Sequence, residues 1–540
     1  MIGKNFIAIL LNAHFPFVRK DSINFSFEEL PFFSVISETL LPLLEMFDRL
    51  EADKIPFRLG IAISPVLCQL LTDASLINHY LDYVDSQIAF GKAELERLKN
   101  DEAARNLVKY YYDNAIERRI NFTERYEKNI PRVLSYYQKK GRIELLTSSA
   151  TNCFLPFYSE HPEVIRAQIE TALVSHKKFF GVKPEGFWLP ELGYHPNLSA
   201  YLHKYDIKYT IIDTHSALLA KPAPKYGIFF PLKTKHNVCL LVKDFYAHRD
   251  IMDREQGLPV EGIFRDFFHD AADDLPVEEI ECFLEDDGTR LSTGYKYYSI
   301  GDSERPRTVY NPHIAAEKAI RYAEQFLKTR VSTLNSVSGL MRKDLSGDAV
   351  SLCAWNADFL GRFWHEGVLF LENIFRAGCI KNEIQFITPY EYINSQDSSL
   401  FQTVEPEFSS SGFNGYAETW LDASTGQFYR HLFNASERMA ELSERFRNET
   451  GIKERALNQA AREVLLALSS DWPRLISTQN SKSLPKWRNY AVSELESHLK
   501  NFTTIYEALG SSYLSTRFLT DIEQRNHIFP DINYGVFRRK

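Results

Sequence analysis

The feature that most constrains this chain is an alternation between short apolar runs and long helical ones. Runs at 5–11, 57–63, 142–147, 186–189, 208–212, 238–242 and 350–354 have the length of buried strands. Helical patterns at 30–50, 161–180, 312–331 and from about 363 to 375 fall between them. Strands separated by helices cannot pair as hairpins, so they assemble as a parallel sheet with helices outside it. An α/β barrel is the expectation.

Two connections exceed what a crossover needs. The stretch from Ser64-Pro65, an N-cap followed by proline at the first helical position, to Lys140 reads as almost all helix, hence a helical insertion at about 65–140. The stretch at about 243–310 is irregular and rich in Gly, Pro, Asp and Tyr, the composition of a lid or binding excursion. After about 385 the alternation fades. A Ser/Gly loop at 409–415 precedes amphipathic helix from about 428 to the end, broken once at Ser469-Ser-Asp-Trp-Pro473. The division is a barrel over 1–390 and a C-terminal α-helical domain over 391–540.

Charge and cysteine content narrow the partners. A formal net charge of -8 argues against nucleic acid or an anionic membrane, both of which reward basic surfaces. The 6 cysteines are scattered with no C-x-x-C pair, which points to neither a zinc knuckle nor a disulfide framework and suits a reducing cytoplasm. The apolar run at 6–11 is too short for a signal segment, and no stretch approaches a membrane span. No cofactor motif is present. The 39 Phe and 28 Tyr allow aromatic platforms for a neutral ligand, although most must be core.

Candidate chemistry gathers at strand ends, where barrels place it. Pro190 cannot donate to a sheet ladder, so the fourth strand stops there and Glu191 follows at its mouth, with Trp188 as core or as a wall of the site. His14 follows the first strand, Ser148, Ser149, Thr151 and Asn152 the third, and Asp213 and His215 the fifth. Asp213 and His215 either bond internally at the mouth or contribute to a metal site, the weaker reading without a second His-rich cluster. Asp471 and Trp472, in the helix break, read as groove-lining, and Cys153 as a small buried filler.

Seven stretches in order resemble one family, glycoside hydrolase family 57, and within it the α-1,4-glucan branching-enzyme group. They are Ala13-His-Phe-Pro-Phe-Val-Arg19, Gly141-Arg-Ile-Glu-Leu-Leu-Thr147, Gly186-Phe-Trp-Leu-Pro-Glu-Leu-Gly-Tyr194, Asp213-Thr-His215, Gly294-Tyr-Lys-Tyr-Tyr298, Phe363-Trp-His-Glu-Gly367 and Ser470-Asp-Trp-Pro473. The resemblance implies an incomplete (β/α)7 barrel, a helical insertion, a C-terminal helical domain closing over a groove, and retaining glycosyl transfer on an α-glucan such as glycogen, amylose or a maltooligosaccharide.

Retaining transfer needs one carboxylate to attack the anomeric carbon and a second carboxyl group, roughly 5 Å away, to protonate the departing oxygen. By resemblance Glu191 is the nucleophile. The family's acid/base Asp is Asn356 here, within Trp355-Asn-Ala-Asp358, and an amide has no proton of useful acidity. Asp358 is the nearest possible substitute. Other family positions change with it: His-Ala-His reads Asn12-Ala-His14, Thr-His reads Thr151-Asn152, the His before Phe363-Trp364 is Arg362, a stacking Trp is Ser411, and Gly-Tyr-Pro-Gly reads Gly257-Leu-Pro-Val260. The resemblance gives Asn12, His14, Asn152, Trp188, Asp213, His215, Trp355, Arg362, Trp364, Asp471 and Trp472 as substrate-binding positions. Three functions are open: an α-glucan transglycosylase or weak hydrolase, a non-catalytic α-glucan-binding or regulatory protein, and, least favoured, a metal-dependent carbohydrate hydrolase.

Overall fold

The computed structural model describes residues 5–19, 24–301, 306–341, 347–380, 384–478, 485–511 and 514–539. The expected loop excursion at 302–305 and the expected C-terminal helix at 479–484 and 512–513 lie outside the described residues.

Among the described residues, seven parallel strands form the centre of a 10-stranded sheet. Their order across it is Val350–Asn356, Phe6–Ala13, Leu59–Ile63, Ile143–Ser148, Gly186–Trp188, Tyr209–Ile212 and Cys239–Val242. The edges are joined by one parallel bridge between Lys243 and Leu352, with Asp244 N–H donating to the Leu352 carbonyl at 2.9 Å. The sheet is therefore a curled barrel with a thin seam between its sixth and seventh strands in chain order. Strands covered on both faces need apolar side chains throughout, and Ile7 to Leu11 are at most 1% exposed.

Register aligns the strand ends. Asn12 pairs with Asn356 and Ala13 with Ile63, so the segments after the first, second and seventh strands open at one mouth. Ser64 caps the helix Pro65–Leu70 by accepting from Leu67 N–H, as its sequence indicates. The helical insertion is Ala74–Arg97, Glu102–Ile120 and Ile130–Lys139. The C-terminal region consists of Gly426–Arg445, Ile452–Ala467, Asp471–Ile476, Pro485–Ser511 and Thr516–Arg525.

Several expectations are corrected. The excursion after Lys243 is not irregular throughout: Asp244 caps a helix, Phe245–Met252, by accepting from Tyr246 and Ala247 N–H. The helix expected from 363 begins at Gly367 and runs to Ile380, because residues 357–359 form a 3-10 turn and Gly361 sits at φ 113°, where a Cβ would strike the Glu38 carbonyl. The helix expected over 312–331 extends as Pro312–Met341. Strand pairing also persists beyond 385, since Gln385–Phe386 pairs with the first strand and Gln402–Thr403 with Leu232–Lys233. Finally, Leu30–Ala52 is long and apolar enough to cross a membrane, contrary to the sequence reading, but 78% of that window is buried inside the protein, where it packs as core.

Candidate functional site

Four strand ends and the C-terminal helix break converge on Glu191. The turn carrying it is left-handed, with Glu191 at φ 58°, ψ 21° and Leu192 at φ 51°. Such a conformation costs a non-glycine residue energy and persists only when its surroundings enforce it. Here the 409–415 loop does so: Ser411 N–H donates to the Glu191 carbonyl at 2.7 Å, and Tyr194 and Ser409 exchange backbone bonds at 2.9 and 3.2 Å. Ser411 thus holds the Glu191 turn through its backbone.

The Glu191 carboxylate has neutral hydrogen-bond donors. Asn152 Nδ2 reaches Oε1 at 3.2 Å and Ser470 Oγ reaches it at 3.3 Å, while Asn152 also donates to Ser470 Oγ at 3.1 Å. Asn152 itself is left-handed at φ 54°, and its carbonyl accepts from Ser470 N–H at 3.1 Å. Burial pushes the Glu191 carboxyl above the ordinary range and Asp471 adds to this; Arg474, His14 and Asn152 oppose it without cancelling it.

A second chain of bonds runs beside the first. His14 Nε2 lies 2.8 Å from Asp471 Oδ2 and its Nδ1 lies 2.8 Å from Ser64 Oγ, which already accepts from Leu67 N–H. One tautomer satisfies every atom: Ser64 donates to Nδ1, and Nε2–H donates to Asp471. Burial alone would raise the Asp471 carboxyl, but His14, Arg474 and Ser469 outweigh it and hold it down to about 2. Arg474 lies 3.4 Å from Asp471 Oδ1, one helical turn on.

The end of the seventh strand is built differently. Asn356 is exposed at the end of its strand, and its Oδ1 accepts from Asn12 Nδ2 at 3.3 Å. Asp358 pairs with Arg362 at 3.6 Å. Arg362 in turn lies over Phe363 at 4.7 Å and Phe267 at 5.5 Å.

Further along the mouth, Asp213 receives Lys243 Nζ at 2.6 Å and lies 3.5 Å from His215 Nδ1, while His215 Nε2 donates to the Gly415 carbonyl at 3.0 Å. Asp213 raises the His215 pKa, while Lys243 and His215 hold the Asp213 carboxyl far below its ordinary range despite burial. Both side chains are engaged within the protein, in agreement with the internal-bonding reading.

The tryptophans require correction. Trp355, Trp364 and Trp472 present no groove surface, being 1%, 1% and 0% exposed. Trp355 Nε1 donates to the Ala247 carbonyl and Trp472 Nε1 to the Leu466 carbonyl, whereas Trp364 packs between Phe264 and Phe370. Adjacent helical residues point in different directions, so Asp471 faces the mouth while Trp472 enters the C-terminal core. Trp188 is 5% exposed, with an indole N–H that has no partner among the described residues. Cys153 is fully buried, as expected of a filler.

Sequence reasoning missed Ser64, Lys243, Ser470 and Arg474 as site components. The helix-cap signal at Ser64 was visible, but its second bond to His14 was not. Ser470 lies within the Ser469-Ser-Asp-Trp-Pro473 break, but its bond to Glu191 leaves no local trace, and Lys243 gives no signal until the fifth and sixth strands are paired.

Residues 8–407 match the model of glycosyl hydrolase family 57. The chain belongs to that family. Residues 431–537 of this family 57 chain also match the C-terminal region of 1,4-alpha-glucan branching enzyme. Among whole proteins, it is 24% identical to the 1,4-alpha-glucan branching enzyme TK1436 of Thermococcus kodakarensis, over 99% of this chain and 78% of that one. Among solved structures, the alpha-amylase AmyC of Thermotoga maritima superposes with a TM-score of 0.90 at 30% identity over 100% of both chains. The branching enzyme of Pyrococcus horikoshii gives 0.86 at 22% identity, over 100% of this chain and 97% of that one, a likeness of fold.

Proposed function

We propose that this family 57 chain acts on α-1,4-glucans of the glycogen, amylose or maltooligosaccharide type, with Glu191 as the attacking carboxylate and a weakened proton-transfer half. Membership of the family, the branching-enzyme C-terminal match and the likeness to an alpha-amylase support the substrate class. The observation that carries the rest is the amide pair Asn12–Asn356, which stands where the resemblance expects a carboxylic acid.

Retaining transfer has two halves with different demands. Attack needs an ionised carboxylate held at the anomeric carbon, and Glu191 is fixed by its turn, Asn152 and Ser470. Departure of a sugar oxygen needs a proton, and a side-chain amide cannot supply it; such help is worth about 10²- to 10⁴-fold. Asp358 is the one carboxylate beside Asn356 in the motif, and it is paired with Arg362. The expected phenotype is slow turnover of glucans together with retained binding.

The test is incubation with amylose, following the iodine spectrum and new α-1,6 linkages, for the natural chain and for Asn356→Asp. A gain of turnover in the variant supports the reading. Vigorous turnover by the natural chain contradicts the weakened half. The run of amides at Asn12, Asn152 and Asn356 favours a second reading, a non-catalytic glucan-binding protein, which glucan binding by an inert Asn356→Asp variant would support.

A further inference from the structure

The barrel seam holds a cavity of about 530 Å³ between the helices Phe245–Met252 and Pro312–Met341, away from Glu191. Its size falls in the range of small-molecule sites. Tyr246, Arg249 and Asp250 line it from the first helix, and Gln325, Thr329 and Arg330 from the second.

Its chemistry is that of a site for a neutral, hydroxyl-rich ligand. Arg330 is 3% exposed; its Nη1 lies 3.2 Å from both Asp244 oxygens and its Nη2 lies 3.6 Å from Asp250. Its Nε–H has no partner among the described residues. Arg330 thus braces the wall from beneath, and the side chains a ligand would meet are the exposed Tyr246, Gln325 and Thr329. Asp250 and Asp244 balance Arg249 and Arg330, so no net charge recruits a phosphate. Thr329 Oγ1 donates to the Gln325 carbonyl at 3.0 Å, which leaves the hydroxyl oxygen free to accept from a ligand. Tyr246 is 55% exposed, with the Arg249 guanidinium 5.2 Å from its ring centroid, and such rings stack on sugar faces.

We propose that this seam cavity is a second, non-catalytic binding site for a short oligosaccharide segment. Its identification with an α-1,4-glucan rests on the proposed function. The site begins where the sixth strand leaves the mouth, since Asp244 caps the helix that carries Tyr246 and follows Lys243, the partner of Asp213. A long glucan would be retained by the seam while its reacting bond lies at Glu191.

Hydrogen–deuterium exchange of the full chain with maltoheptaose tests this, with cellohexaose as the stereochemical control. The expected result is protection of peptides spanning 245–252 and 325–333 together with those spanning 188–194 and 469–475. Tyr246→Ala should weaken protection at the seam about tenfold in ligand concentration and leave the mouth unchanged. Protection at the mouth alone overturns the seam site and leaves the proposed function standing. Protection at the seam alone upholds the site and counts against the proposed function. Equal seam protection by cellohexaose, or unaltered seam protection in both Tyr246→Ala and Thr329→Val, overturns the assignment.

Discussion

The two walls of the mouth differ in how they hold charge. On the Glu191 wall, Asn152, Ser470, His14 and Asp471 form interlocking bonds drawn from the first and third strand ends, the fourth-strand turn and the C-terminal helix. On the Asn356 wall, the corresponding contact is one amide pair at the end of two strands, with Asp358 turned to Arg362. The difference shows that the hold on the Glu191 carboxylate does not depend on the contacts made at Asn356.

The comparison can be broken most severely at Glu191. In Glu191→Gln, turnover of an activated substrate such as an α-maltosyl fluoride, whose leaving group needs no proton, should fall to the buffer rate while maltoheptaose binding persists; retained turnover would remove Glu191 from the mechanism. In the natural chain the acidic limb of kcat/KM should lie above the ordinary carboxylate range, because burial disfavours ionised Glu191. Arg474→Gln should move that limb higher still. A limb at ordinary carboxylate pH that Arg474→Gln leaves in place would contradict this electrostatic account.

A smaller effect concerns the His14–Asp471 hydrogen bond that docks the C-terminal helix onto the mouth. The Asp471 carboxyl is depressed to about 2 in the folded protein, against about 3.9 when unfolded. It therefore contributes stability that is fully present above about pH 4 and is lost as pH falls through about 2, roughly 2–3 kcal/mol for this fully buried group. Urea denaturation across that window should show the loss in the natural chain, and Asp471→Asn should be less stable at neutral pH with a flatter profile. Smaller again, Gly415→Ala should cost about 1 kcal/mol or slightly more, since Gly415 has φ 82° and a Cβ there would lie 2.8 Å from His215 Nε2. An unchanged Tm would mean that the 409–415 loop yields freely.

The barrel was legible because parallel strands buried on both faces leave unbroken apolar runs, and Pro190 marked the end of the fourth one. The helix Phe245–Met252 was hidden by its Gly- and Pro-rich surroundings, although Asp244 is an ordinary N-cap. At Gly361, a contact with the Glu38 backbone delays the next helix, which no local pattern announces. Glu191, His14, Asn152 and Asp471 all stand out in the sequence and fall in two adjacent chains of hydrogen bonds. Trp355, Trp364 and Trp472 lie in the same motifs yet face the core, because a motif gives position along the chain and not direction around it. The bonds of Ser64 and Ser470 join residues 50 and 279 positions apart, beyond any local signal.

The most direct measurement is the turnover of amylose and of α-maltosyl fluoride, side by side, by the natural chain and by Asn356→Asp. The account predicts that the natural chain uses the fluoride but lags on amylose, and that Asn356→Asp raises amylose turnover by about 10²- to 10⁴-fold while changing the fluoride rate little. Efficient amylose turnover by the natural chain, unchanged by Asn356→Asp, would contradict it.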